Sequence, residues 1–230
     1  MFSTGTSVNV ISRAPRVYRY LEAQYVDQFF SDGNLRLSSF RQFARQTDEQ
    51  RLDTKEGQVY LIHRTWTNGC QMLVIEAEFG QDAYVLSSSL APSKELMSGF
   101  QASSAIIIHN PLGFMRAVAA KLPNVRVVVH GPCSYQNLRA IEKDLGYIDF
   151  GTNEETSDPS KMNTAAVLRA YSKLGTEDVY FIKAERFRAQ AEYRFLWLIS
   201  AAVEPHIEIQ VPEARQFCYR WEDQGEWVAF

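Results

Sequence analysis

The pattern of hydrophobic and polar positions is most informative between Tyr180 and Ser200, where YFIKAERFRAQAEYRFLWLIS alternates from Gln190 onward. Ala191, Tyr193, Phe195 and Trp197 occupy one side of the implied strand. Gln190, Glu192 and Arg194 occupy the other, followed by Leu196 and Leu198. A period of two marks an extended strand with two distinct faces. Both sides of its second half are apolar, so the strand is expected to run from a cleft edge into a buried sheet. A carboxylate and a guanidinium at its open end are costly to bury unless paired or used. Either they form a cross-strand ion pair on a solvated face, or Glu192 is a chemical centre.

The same reading orders the rest of the chain. Residues 1–15 read as a loose arm, Val17 to Leu21 as a first strand, and Glu22 to Ser31 as a helix closed by Asp32-Gly33. Asn34 to Phe40 reads as a second strand. Gln58 to Thr65, Met72 to Phe79 and Ala83 to Leu90 look like consecutive strands with turns at Asn68-Gly69 and Gly80-Gln81-Asp82. Helices are expected over Pro92 to Phe100, Pro111 to Leu122, Asn137 to Leu145 and Thr164 to Leu174. Further strands are expected at Ala105 to His109, Val125 to His130, His206 to Val211 and Gln216 to Trp221. Two polar segments, Arg41 to Gly57 and Gly151 to Lys161, have the composition of solvated connections or of lids beside a cleft. Strands and helices intersperse without a strict βαβ rhythm. The expected fold is therefore one α+β domain over residues 1–230, with a mixed, mainly antiparallel sheet flanked by helices.

Composition narrows the function classes. The 230 residues suffice for a sizeable single core. A net charge of −3 argues against a broad cationic surface for nucleic acid, although Lys and Arg concentrate between Arg36 and Arg64. No apolar run is long enough to span a bilayer, and the N-terminus lacks the basic start and apolar core of a signal peptide. Cys70, Cys133 and Cys218 are widely spaced and odd in number, which fits reduced thiols in the cytoplasm, each read as a small buried hydrophobe.

Candidate chemistry is sparse. There is no P-loop, G-x-G-x-x-G, H-E-x-x-H or G-x-S-x-G. His63, His109, His130 and His206 lie apart and read as structural rather than as metal ligands. Asp48, Asp53 and Glu56 read as a solvated charged loop rather than a cation site. What remains is Arg19 on the first strand, Ser87-Ser88-Ser89 ending an apolar strand, and Gln190-x-Glu192 on the alternating one.

This order resembles the Arg, Ser-Thr-Ser, Gln/Glu-x-Glu pattern of the ADP-ribosyltransferase superfamily, which binds NAD between two sheets and transfers ADP-ribose from it. The resemblance implies an ADP-ribosyltransferase-like fold and NAD as substrate. In it Arg19 holds phosphate or ribose oxygens, with Tyr20 beside it in the cofactor-binding set. Ser87 and Ser89 brace the pocket floor. Glu192 engages the nicotinamide ribose and stabilises the charge that develops as nicotinamide leaves, and Gln190 faces a protein or nucleic-acid acceptor. This chain has three serines where the pattern has Ser-Thr-Ser, and it has no recognisable nicotinamide-gripping loop. A wider set of motifs covers roughly Val17 to Trp197: Y-R-Y, G-N-L-R-L-S-S, R-x-D-x-x-E-G, V-L-S-S-S followed by E-L-M, and F-I-K…A-E-Y-R-F. Together they resemble a broad bacterial family of uncharacterised domains, which implies a bacterial or phage setting, as in a toxin or phage-defence effector. The rival expectation is a nucleotide- or nucleic-acid-binding module without chemistry, using Arg36, Arg41, Arg45, Arg51 and nearby aromatics.

Overall fold

The computed structural model describes residues 15–43, 53–67, 69–151 and 162–221. Strand β1 (Val17–Leu21) leads into helix α1 (Ala23–Asp32), strand β2 (Asn34–Ser39) and a single helical turn, α2 (Phe40–Phe43). Strands β3 (Gln58–Thr65), β4 (Gln71–Glu78) and β5 (Ala83–Ser89) follow, then α3 (Lys94–Gly99), β6 (Ser104–Ile108) and α4 (Pro111–Ala119). Beyond them run β7 (Val125–Pro132), β8 (Ser134–Gln136), β9 (Ala140–Lys143), α5 (Thr164–Leu174), β10 (Ile182–Ala184), β11 (Glu192–Ile199), β12 (His206–Gln210) and β13 (Cys218–Arg220). The architecture is α+β with a mainly antiparallel main sheet, as the interspersed pattern predicts.

Local chemistry accounts for the helix ends. α1 stops where Gly33 takes the left-handed conformation at φ 77° and its N–H returns to the Phe29 carbonyl at 2.9 Å. α3 and α4 start at Ser93 and Asn110, whose side-chain oxygens accept from backbone N–H groups of the first turn. α4 also carries Pro111 at its first position, where a missing N–H costs nothing.

The main sheet has eight strands. Six follow the order β12-β2-β5-β1-β6-β13, and β11 pairs with both β5 and β7. β11 is buried along its whole length because each of its faces meets a separate apolar layer. Tyr193, Phe195 and Trp197 pack with Tyr84, Leu86, Phe29 of α1 and Phe114 and Met115 of α4. Leu196 and Leu198 pack with Val85, with Val59 and Leu61 of β3, with Ile141 of β9 and with Leu174 of α5. A smaller sheet, β4-β3-β9, and the parallel pair β8–β10 supply much of that second layer.

Several expectations need correction. Asn137 to Leu145 is not a helix: β9 runs parallel to β3 with Leu61 opposite Ile141, and burial of Ile141 in that register outweighs local helix propensity. Most of the stretch before β11 is not strand either. A 3₁₀ turn at Glu177–Phe181, the short β10 and a second 3₁₀ turn at Glu185–Gln190 precede it. Ala191 is left-handed at φ 43°, so the strand starts at Glu192 rather than at Gln190. The last expected strand is shortened to β13 by a 3₁₀ turn at Pro212–Phe217. Of the three cysteines, Cys133 is buried but Cys70 is exposed. Residues 1–14 of the expected arm, Asn68 of one turn, and residues 44–52 and 152–161 of the two polar segments lie outside the described residues.

One feature of the sheet positions the site. β1 and β2 both run antiparallel to β5 and use the same edge of it: β2 pairs at Val85 and Tyr84, whereas β1 pairs at Ser89. Between these points the two strands part and leave a fork over Leu86–Ser88. Arg19 reaches into the fork. Its Nη1 donates to the Ser87 carbonyl at 2.9 Å and its Nη2 to the Arg36 carbonyl at 3.5 Å. The guanidinium thereby ties three strands together where the ladder opens.

Candidate functional site

Register places the polar residues on one face. In the β5–β11 ladder Glu192 lies opposite Ser89 and Arg194 opposite Ser87, so all four project from the same side of the sheet as Val85 and Leu196. A cavity of about 200 Å³ opens over this face, lined by Arg19, Tyr20, Ser87, Ser89, Gln190 and Glu192, together with Tyr18, Phe100 and Lys183. All six site residues expected from sequence therefore meet at one cavity. A second cavity of about 700 Å³ adjoins the fork, and Arg19, Leu21 and Ser38 line both.

Glu192 is held from every side. Its N–H donates to the Tyr135 hydroxyl at 2.6 Å, and its carbonyl accepts from the Cys133 N–H at 2.8 Å. Its Oε1 accepts from the Ser87 hydroxyl and from Arg194 Nε, each at 2.7 Å, while Oε2 is paired with Lys183 Nζ. Burial alone would raise the pKa of this carboxyl, but the Arg194 and Lys183 charges outweigh it and hold the group well below the usual carboxylate range. Glu192 is thus a fixed anion and does not carry protons near neutral pH.

Gln190 reaches the cavity by another route. It ends a 3₁₀ turn, and its carbonyl accepts from the Ser89 hydroxyl at 2.8 Å. It does not share a strand face with Glu192 by alternation, as the sequence pattern suggested. Tyr20 donates its hydroxyl to the Ala91 carbonyl at 2.7 Å and accepts from the Ser93 N–H at 2.8 Å, which fixes the cavity wall between β1 and the start of α3.

Behind the cavity lies a buried ionic layer. Arg194, 1% exposed, donates through Nη1 to the Tyr180 carbonyl at 2.6 Å and places Nη2 2.8 Å from Glu56. Its guanidinium also stands over the Phe40 ring at 5.4 Å. Burial pushes Glu56 up, and Arg194 and Lys183 only partly oppose it. Burial would likewise raise Asp53, but its pairing with Arg139 outweighs that and lowers it. Asp53, Glu56 and Glu192 are therefore matched by Arg139, Lys183 and Arg194, all buried. This corrects two expectations: Asp53 and Glu56 do not belong to a solvated loop, and the Glu192–Arg194 pair is not on a solvated face. Asp48 lies outside the described residues, and no cluster of metal-ligating side chains exists among the described ones.

Pattern reading gave no site role to Lys183, Glu56, Asp53 or Arg139, although the first three stand in the motifs F-I-K and R-x-D-x-x-E-G. Lys183 left a trace, being a lone charge between apolar Ile182 and Ala184. Arg139 left none. Of the arginines proposed for nucleic-acid contact, Arg36 lines the larger cavity, Arg41 lies in the α2 turn, and Arg45 and Arg51 lie outside the described residues. His63 is buried between Gln71 and the Lys143 carbonyl, and Cys133 has its thiol pushed up by burial, which suits neither for nucleophilic work.

No protein-family model, no curated protein and no solved structure matches this chain. No helix among the described residues is long and apolar enough to cross a membrane.

Proposed function

We propose that the cavity over β5 and β11 takes NAD and that the chain is an ADP-ribosyltransferase-like enzyme acting on a protein or nucleic-acid acceptor. The observation that carries this reading is the convergence of Arg19, Tyr20, Ser87, Ser89, Gln190 and Glu192 on one cavity. A carboxylate offers about four acceptor positions. Ser87, Arg194 and Lys183 fill three of them here, leaving one on Oε2 for a ribose hydroxyl. In the transfer, the bond between ribose C1′ and the nicotinamide nitrogen breaks and its electron pair leaves with neutral nicotinamide. The acceptor's nucleophilic atom then bonds C1′ and releases its proton to solvent. A carboxylate held ionised supplies electrostatic support for the oxocarbenium ion rather than a proton shuttle.

At about 200 Å³ the cavity falls below the roughly 300–1,000 Å³ of sites that enclose a whole drug-sized ligand. It therefore suits the nicotinamide–ribose end, with the remainder of the dinucleotide passing Arg19 into the cavity of about 700 Å³. The test incubates the protein with NAD and offers protein, DNA and RNA acceptors, following nicotinamide release and label transfer. Wild type should release nicotinamide, and Glu192→Gln, checked for folding by circular dichroism, should lose about 100-fold or more in rate. Gln190→Ala, outside the ionic layer, should change acceptor use while NAD cleavage to water persists. Absence of NAD binding and of nicotinamide release with every acceptor would overturn the reading.

A second reading, nucleotide binding without chemistry, draws on the two cations already resting on Glu192. They offset negative charge that a departing nicotinamide would require. Nucleotide binding without nicotinamide release would select this reading.

A further inference from the structure

The two oxygens of Glu192 are held by groups of different mobility. Oε1 is fixed by the Ser87 hydroxyl and by Arg194, which is itself anchored by the Tyr180 carbonyl and by Glu56. Oε2 is covered by Lys183. Arg194 is planar, fully buried and outside the cavity wall; Lys183 lines the cavity on a flexible four-carbon stem, with its ammonium 4.8 Å from the Phe187 ring centre. Among the described residues, the charged side chains lining this cavity are those of Arg19, Lys183 and Glu192. Two of these three are cations. Such a wall favours a ligand that brings negative charge of its own.

We propose that Lys183 is a specificity-determining residue: it leaves Oε2 of Glu192 to pair with the diphosphate of an incoming nucleotide, and so frees the second acceptor position on that oxygen only when an anionic ligand is present. An ammonium group can exchange one oxyanion for another at similar distance without stranding itself, because Ser87 and Arg194 keep Glu192 stabilised in its absence. A neutral ligand supplies no replacement partner and leaves Lys183 in place. The coupling rests on the reading of this cavity as a nucleotide site, but it does not require that NAD be cleaved.

The experiment compares ADP with adenosine as calorimetric probes on wild type, Lys183→Met and Lys183→Arg, and records the side-chain amine signal of isotopically labelled lysine by NMR. In wild type, ADP should bind more tightly than adenosine by about tenfold or more, the scale of one charge-assisted hydrogen bond. Lys183→Met should remove most of that preference by weakening ADP far more than adenosine, and Lys183→Arg should restore part of it. The Lys183 signal should move on addition of ADP and stay in place with adenosine. A purely structural lysine would weaken both probes alike. If Lys183→Met fails to fold, the wild-type NMR measurement decides. An unmoved Lys183 signal at saturating ADP, or an unchanged ADP preference in a folded Lys183→Met, overturns the proposal. Nicotinamide release with either of those results would refute the switch and leave the transferase reading intact. ADP preference dependent on Lys183 without nicotinamide release would do the reverse.

Discussion

Replacing Arg194 by Met tests whether the ionic layer behind the cavity is a balanced unit. In the wild type three buried carboxylates, Asp53, Glu56 and Glu192, face three buried cations, Arg139, Lys183 and Arg194. Arg194→Met removes the residue that spans Glu192 and Glu56 and leaves the Tyr180 carbonyl without its 2.6 Å donor. Breaking a buried ion pair from one side costs about 3–5 kcal/mol, and a buried carbonyl left unpaired adds about 1–3 kcal/mol. A loss of at least about 4 kcal/mol is expected, which for a chain of this size lowers Tm by about 8–16 °C. The double variant Arg194→Met/Glu56→Gln returns the layer to two charges of each sign. It should recover about 1–3 kcal/mol, the coupling typical of residues in one network. The sign of the pH effect gives a further check. Without Arg194 the Glu56 carboxyl is raised further, so its contribution to stability is greatest below about pH 4.5 and is lost as pH rises. The deficit of the single variant should thus be smaller at pH 5 than at pH 8. Urea unfolding followed by tryptophan fluorescence measures all three proteins. A single variant within about 1 kcal/mol of wild type, or a double variant no more stable than the single, would refute the balanced layer.

Two further outcomes are expected. Burial lowers the pKa of His130, whose Nδ1 meets the Tyr193 hydroxyl, so the unfolded chain binds the proton more readily than the folded one. Stability should therefore fall as pH drops from about 6.5, and His130→Gln should flatten that limb in a series of melts, with identical slopes counting against it. At Gly33, where φ is 77°, an added Cβ would lie 2.3 Å from the Pro212 nitrogen, a backbone atom that cannot step aside. Gly33→Ala should lower Tm well beyond Gly69→Ala, where φ is 109° but, among the described residues beyond its chain neighbours, no atom lies within 4 Å of an added Cβ; equal losses would show that the left-handed backbone alone sets the cost.

Much of the fold was legible because its signals are local. The alternation through Tyr193, Phe195 and Trp197 marks β11, Gly33 marks the end of α1, and Pro111 marks the start of α4. Where a segment's state depends on a partner distant in sequence, the pattern failed. β9 is a strand because β3 pairs with it, and nothing between Asn137 and Leu145 records that pairing. Gln190 follows the alternation by number, but the left-handed backbone of Ala191 breaks its register with Glu192.

The sequence by itself determined that Ser87 shares a strand face with Ser89, and Glu192 with Arg194, because successive side chains of a strand alternate between its two faces; the pairing of β5 with β11 put all four on one side. It also marked Arg19 as a cation on an otherwise apolar strand. Only the tertiary structure decided what surrounds that face. Asp53 and Glu56, Arg139, and Lys183 reach it from three separate segments, and their burial as matched charges depends on distances that no run of residues encodes. The parting of β1 and β2 over one edge of β5 is likewise a property of three strands together. That fork opens the cavity, and Arg194 and Lys183 keep Glu192 ionised there despite its burial, because in a low-dielectric interior a carboxylate's state is set by the cations packed against it.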